Sequence, residues 1–113
     1  MATRYYIRLP DPGKARASGE FAFRSHGADG LAQELQHALC GVEYFQRWRA
    51  AQHDPDSVDP SLGATDASAT VTGKQHDLHI DLIAVTSLPG SVFKHRLRLL
   101  AGSAWELRDV SAA

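Results

Sequence analysis

The stretch His76-Asp77-Leu78-His79-Ile80-Asp81-Leu82 decides the fold class. Leu78, Ile80 and Leu82 alternate with Asp77, His79 and Asp81, which is the period of a strand with one buried and one wet face. Upstream, Ala67, Ala69 and Val71 alternate with Ser68, Thr70 and Thr72, and Gly73-Lys74-Gln75 supplies a turn. Downstream, Phe93, His95, Leu97 and Leu99 alternate with Lys94, Arg96 and Arg98, after a turn at Leu88-Pro89-Gly90-Ser91. Trp105, Leu107 and Asp109 alternate with Glu106 and Arg108 beyond Ala101-Gly102-Ser103. Four strands joined by short turns predict an antiparallel meander.

The N-terminal third adds two more strands and a helix. Tyr5, Ile7 and Leu9 alternate with Arg4, Tyr6 and Arg8 until Pro10 and Pro12-Gly13. Phe21 and Phe23 alternate with Glu20, Ala22 and Arg24, so an N-terminal hairpin is expected across the basic loop that holds Lys14 and Arg16. Asp29 is a candidate helix cap. Leu31, Leu35, Ala38, Leu39, Val42, Phe45 and Trp48 then recur at steps of three and four, which is a core-facing stripe. Gly41 either ends that helix or kinks it, and the unbroken phase of the stripe favours one long helix. The expected fold is α+β, with an N-terminal hairpin and a four-stranded meander packed on that helix. The segment 53–64 holds Pro55, Pro60 and Gly63 among several acids, and a mobile acidic surface loop is expected there within one domain spanning 1–113.

Composition bounds the function classes. The 113 residues are 43% hydrophobic and 22% charged, as in ordinary globular domains. The longest wholly apolar run is Leu82–Val85, far short of the roughly 18–20 residues of a membrane span. No signal-peptide h-region follows Met1, so a cytoplasmic location and no membrane partner are expected. Arg outnumbers Lys by nine to three, Ala is abundant and Asn is absent, a usage resembling that of a high-GC bacterial genome. One cysteine excludes an intramolecular disulfide framework and a cysteine-rich zinc site. The net charge is −1, split as +2 over 1–52, −5 over 53–90 and +2 over 91–113, which predicts pairing within the fold rather than a field for nucleic acid.

Chemistry-bearing residues are few. Asp77, His79 and Asp81 share a strand face and include metal-ligand types. Cross-strand pairing with Arg96 and Arg98 accounts for them more simply, so no metal and no cofactor are expected. His95 falls on the apolar side of its strand and is expected to be a satisfied core or cleft-edge histidine. Cys40 has no nucleophile motif around it and reads as a small apolar packing group. Asp54, Asp56 and Asp59 lack the spacing of a calcium loop. Arg4, Arg8, Lys14, Arg16 and Arg24 with Tyr6 form a candidate basic patch, without the aromatic string of an RNA-binding sheet. Phe45 and Trp48 continue the core stripe, while Tyr44 and Arg47 combine residue types favoured in protein interfaces. No catalytic residue stands out. The expectation is a non-catalytic protein-interaction or accessory module, with His79, Asp81, Arg96, Arg98, Tyr44 and Arg47 as candidate binding residues. The alternatives are a small enzyme or ligand-binding protein with a histidine in a cleft between helix and sheet, and a nucleic-acid binder using the N-terminal basic hairpin. Another protein is the expected partner, and nucleic acid is not favoured.

Overall fold

A computed structural model describes residues 1–113. The chain is α+β, built on one four-stranded antiparallel sheet. In chain order it forms β1 (Thr3–Leu9), α1 (Pro12–Arg16), α2 (Ala28–Cys40), α3 (Glu43–Ala50), β2 (Thr70–His76), β3 (His79–Thr86), α4 (Gly90–Ala101) and β4 (Glu106–Ala112). Two 3₁₀ turns, Pro55–Ser57 and Pro60–Gly63, lie in the segment between α3 and β2. The strand order is β2-β3-β1-β4, so β1 sits between β3 and β4 with helical crossovers on either side of the β2–β3 hairpin. This is the connectivity of the split β-α-β arrangement.

The period-two pattern orients β1 and β3. Tyr5, Ile7 and Leu9 of β1 and Ile80, Leu82 and Ala84 of β3 are buried together with Leu31, Leu35 and Leu39 of α2 and Phe93 and Leu97 of α4. The helices therefore cover one face of the sheet. The opposite face carries the half-buried side chains of Arg4, Tyr6, Arg8, Asp81, Ile83 and Val85. Gly73 lets β2 approach α2 closely, because a Cβ there would collide with the Ala28 carbonyl oxygen.

Several expectations are corrected. The N-terminal hairpin does not form, since residues 20–24 pair with no strand. Their backbone donors are taken elsewhere: Phe23 N–H donates to the Leu100 carbonyl at 2.8 Å, and the Glu34 carboxylate accepts from the N–H groups of Arg24 and Ser25, each at 2.9 Å. Residues 12–16 are a short helix, with the Asp11 side chain accepting from Lys14 N–H. The long helix is two helices: α2 stops at Gly41, whose backbone is extended, and α3 restarts at Glu43. A Gly inside a helix costs about 1 kcal/mol against Ala, and here that weakness becomes a break. Trp48 is only half-buried, and Phe45 alone of α3 is buried.

The meander is also interrupted. Residues 90–101 form α4 and no strand. Val92, Phe93, Arg96, Leu97, Leu100 and Ala101 are the buried set, at helical spacing. Phe93 and Leu97 satisfy both periods, but Lys, Arg, Leu and Ala dominate the segment and favour a helix. Gly73-Lys74-Gln75 lies within β2, and the β2–β3 turn falls beyond it at Asp77-Leu78, with Asp77 at φ 50°. Asp tolerates this left-handed conformation better than most side chains, and Leu78 stands out in solvent, 86% exposed.

Asp66 ties the segment before β2 to the end of β3. Its carboxylate accepts from the buried Thr86 hydroxyl at 2.9 Å, Ser87 N–H at 2.8 Å and Ser68 N–H at 3.0 Å. These bonds, the one from Ser87 N–H first, hold its pKa below the ordinary aspartate value. The sign follows: its stabilisation is complete above the ordinary value of about 3.9 and is lost as pH falls through the lowered one. D66A is expected to cost about 2 kcal/mol at neutral pH, as for loss of hydrogen bonds to a charged acceptor. Urea unfolding across pH checks this: the gap between wild type and D66A narrows under acid, and a pH-independent gap would contradict the assignment.

Candidate functional site

The candidate site is built on the uncovered face of the sheet at the β2–β3 turn. A two-residue turn at Asp77-Leu78 sets His76 directly opposite His79, and their rings stack with centroids 5.2 Å apart. Two residues further along β3, Asp81 projects from the same face, between Lys74 of β2 and Arg8 of β1 in the pairing register. Arg8 Nε donates to Asp81 Oδ1 at 3.0 Å, and its Nη2 lies 3.5 Å from Oδ2. This pairing, more than any other contact, lowers the Asp81 pKa and raises that of Arg8. The Nε2 atoms of His76 and His79 lie 3.3 and 3.8 Å from Asp81 Oδ2. The donor atoms of His76, His79 and Asp81 all fall within 4.8 Å of one another, so these three residues could together hold a metal ion. Beside them is an open depression of about 520 Å³, walled by Tyr6, Arg8, Lys74, His76, Asp81 and Arg108.

His79 and Asp81 are thus brought together as the sequence suggested, but with other partners. Arg96 and Arg98 are not across a strand from them; both lie on α4. Arg98 is exposed. Arg96 is fully buried and donates to the carbonyls of Ala38, Leu62 (2.8 Å) and Ala64 (2.9 Å). Its surface-pair role is replaced by a structural one. Tyr44 and Arg47 meet at a separate place. The Tyr44 hydroxyl donates to the Phe21 carbonyl at 2.6 Å, burial pushes its pKa up, and the Arg47 guanidinium sits 5.6 Å from its ring centroid. Both border a second open cavity of about 410 Å³ with Arg24, Glu34 and His37.

The basic patch is divided: Arg4 and Arg8 share the open face with Tyr6, while Lys14 and Arg16 belong to α1. His95, on α4, packs edge-on to Trp48 at 5.0 Å and near Phe45, and its buried Nδ1 has no partner. Burial lowers its pKa, which favours the neutral ring. Cys40 Sγ donates to the Ala69 carbonyl at 3.3 Å, and burial raises its pKa away from thiolate chemistry. Asp56 lies 3.7 Å from Arg49 as a surface ion pair.

Sequence reasoning did not bring His76 or Arg8 to Asp81. The available signal was the spacing itself: residues flanking a two-residue turn face each other, so His76-Asp77-Leu78-His79 becomes a histidine pair once Asp77 is read as a turn residue.

At the far edge of the sheet, β4 pairs with β1 alone, with a register shift at Tyr6/Ile7. Every residue from Glu106 to Val110 is exposed. Leu107 and Val110 are 39% and 47% exposed, although each pairs with a buried residue of β1. No helix of the chain is long and apolar enough to cross a membrane. Comparison of the chain with protein-family models, curated proteins and solved structures finds no match.

Proposed function

We propose that the protein is a non-catalytic binding module that takes an extended segment of another protein along the outer edge of β4. The observation that carries this reading is the state of that strand. Edge strands are usually blunted by shortness, by charge or by a covering element, and of these three β4 has only the charges of Glu106, Arg108 and Asp109. β4 is seven residues long, has one neighbour and leaves Leu107 and Val110 in solvent. An added strand would take up main-chain groups of this edge, displacing the Asp109 carboxylate from Val110 N–H, and would flank both apolar side chains. Glu106, Arg108 and Asp109 alternate in sign along the same edge, which selects against a uniformly charged partner. Neither candidate histidine supports the cleft-enzyme reading: His95 packs against Trp48 and Phe45, and His79 lies on the sheet face that no helix covers.

The test is a selection of extended peptides against the full chain, followed by affinity measurement on the doubly substituted L107E/V110E chain. Both positions are exposed, so the fold is expected to survive. The expected result is a loss of about tenfold or more in affinity, equivalent to about 1.4 kcal/mol, with modest dependence on salt. Peptides that bind the double variant unchanged would contradict the reading. Concentration-dependent self-association in sedimentation, abolished by the same substitutions, would instead make the occupant a second copy of the chain.

A further inference from the structure

We infer that His76, His79 and Asp81 form a binding site for a divalent transition-metal ion, zinc first among them, with three protein ligands and an open coordination position. The inference is independent of the β4 reading and rests on the opposite edge of the sheet. Two imidazoles and one carboxylate are a recurrent ligand set for zinc and related ions. Metal–ligand bonds of about 2.0–2.2 Å in tetrahedral geometry place neighbouring donor atoms roughly 3.3 Å apart. His76 Nε2 already lies 3.3 Å from Asp81 Oδ2, and His79 Nε2 lies 3.8 Å from it. All three donor atoms fall within 4.8 Å of one another, so closing the site draws the imidazole nitrogens together by up to about 1.5 Å, within the reach of rotamer adjustment in two part-exposed side chains.

The backbone brings the three together without strain beyond Asp77. The tight turn fixes the histidine pair, and the two-residue period of β3 puts Asp81 on their face. Arg8 grips Oδ1 at 3.0 Å and reaches Oδ2 more loosely at 3.5 Å, which fixes the carboxylate plane with Oδ2 turned to both imidazoles. Such outer contacts orient ligands in metal sites. A plain ion pair explains less. Asp81 is already neutralised by Arg8, and two further imidazoles directed at one oxygen add little to a part-exposed pair. The side chains of His76, His79 and Asp81 are 40, 31 and 28% exposed, so an ion can enter and a water or an exogenous ligand can occupy the open position.

The test uses the full chain stripped with a chelator and titrated with Zn²⁺ alone, followed by two-dimensional NMR of the imidazole nitrogens. One equivalent is expected to shift the Nε2 resonances of His76 and His79 together. His76→Gln, His79→Gln and Asp81→Asn are each expected to weaken binding about tenfold or more, while His53→Gln, at an exposed position, leaves it unchanged. The amide spectrum of each variant reports whether the fold is kept, and the two turn histidines carry the test if D81N unfolds. Zinc that shifts only other imidazoles, or that binds H76Q and H79Q within about twofold of wild type, overturns the site. Absence of any zinc-dependent shift overturns it as well.

Discussion

R96A is expected to lower the free energy of unfolding by about 3–5 kcal/mol, the range for losing several buried hydrogen bonds together with a large side chain. Arg96 has no accessible surface and no carboxylate partner; burial lowers its pKa, and three carbonyls offset the cost of holding its charge there. One belongs to Ala38 in the last turn of α2, where the helix leaves its own carbonyls without donors. The other two, Leu62 and Ala64, belong to the segment before β2. A single guanidinium thus closes the end of α2 and fastens an otherwise irregular stretch to α4. Truncation leaves three acceptors unpaired and a void beside Phe45, over whose ring the guanidinium lies at 5.5 Å. Lysine is a point donor that cannot span the three carbonyls, so R96K is expected to restore only part of the loss. Denaturant unfolding checks both variants; a loss under about 1 kcal/mol in R96A would show that these bonds contribute little net stability.

The second large effect is at Phe93. F93A is expected to cost about 3–5 kcal/mol, as for other fully buried aromatic side chains. Its ring has no accessible surface and stacks on Tyr5 with centroids 4.2 Å apart and planes 14° apart, joining α4 to the central strand β1. The neighbouring leucines make the helix itself testable. A strand over this segment would bury Leu99 with Phe93 and turn Leu100 away. In α4 the order is reversed, with Leu100 2% exposed and Leu99 only half-buried. L100A is therefore expected to cost about 2–5 kcal/mol and L99A clearly less. Equal losses, or a greater loss in L99A, would contradict the helix.

What could be read in advance followed the physics of each segment. β1 was legible because Tyr5, Ile7 and Leu9 alternate with Arg4, Tyr6 and Arg8 up to Pro10, and the start of β3 because Ile80 and Leu82 alternate with His79 and Asp81. α2 was legible from its stripe. α4 was not, because Phe93 and Leu97 are four apart and fit either period, and the arginines between them suggested a wet strand face. One of those arginines, Arg96, is buried instead, and no local pattern announces that three distant carbonyls will receive it. The expected strand at 20–24 failed for a similar reason: Glu34, ten residues from Arg24, takes the donors that a strand partner would have used. In the candidate site, Asp81 and His79 were visible from parity alone. His76 required the turn at Asp77, a left-handed residue that is not glycine, and Arg8 required the knowledge that β1 lies beside β3.

The edge of β4 is tested most directly by amide hydrogen exchange across the whole chain, free and bound to a selected peptide. In the free protein the amides of Glu106–Ala112 that do not bond to β1 are expected to exchange quickly. On binding they are expected to become protected along the strand, with α2 and α4 unchanged. Protection on the open face around Tyr6 and Asp81, with β4 exchanging as before, would contradict the account and move the binding surface to the face of the sheet.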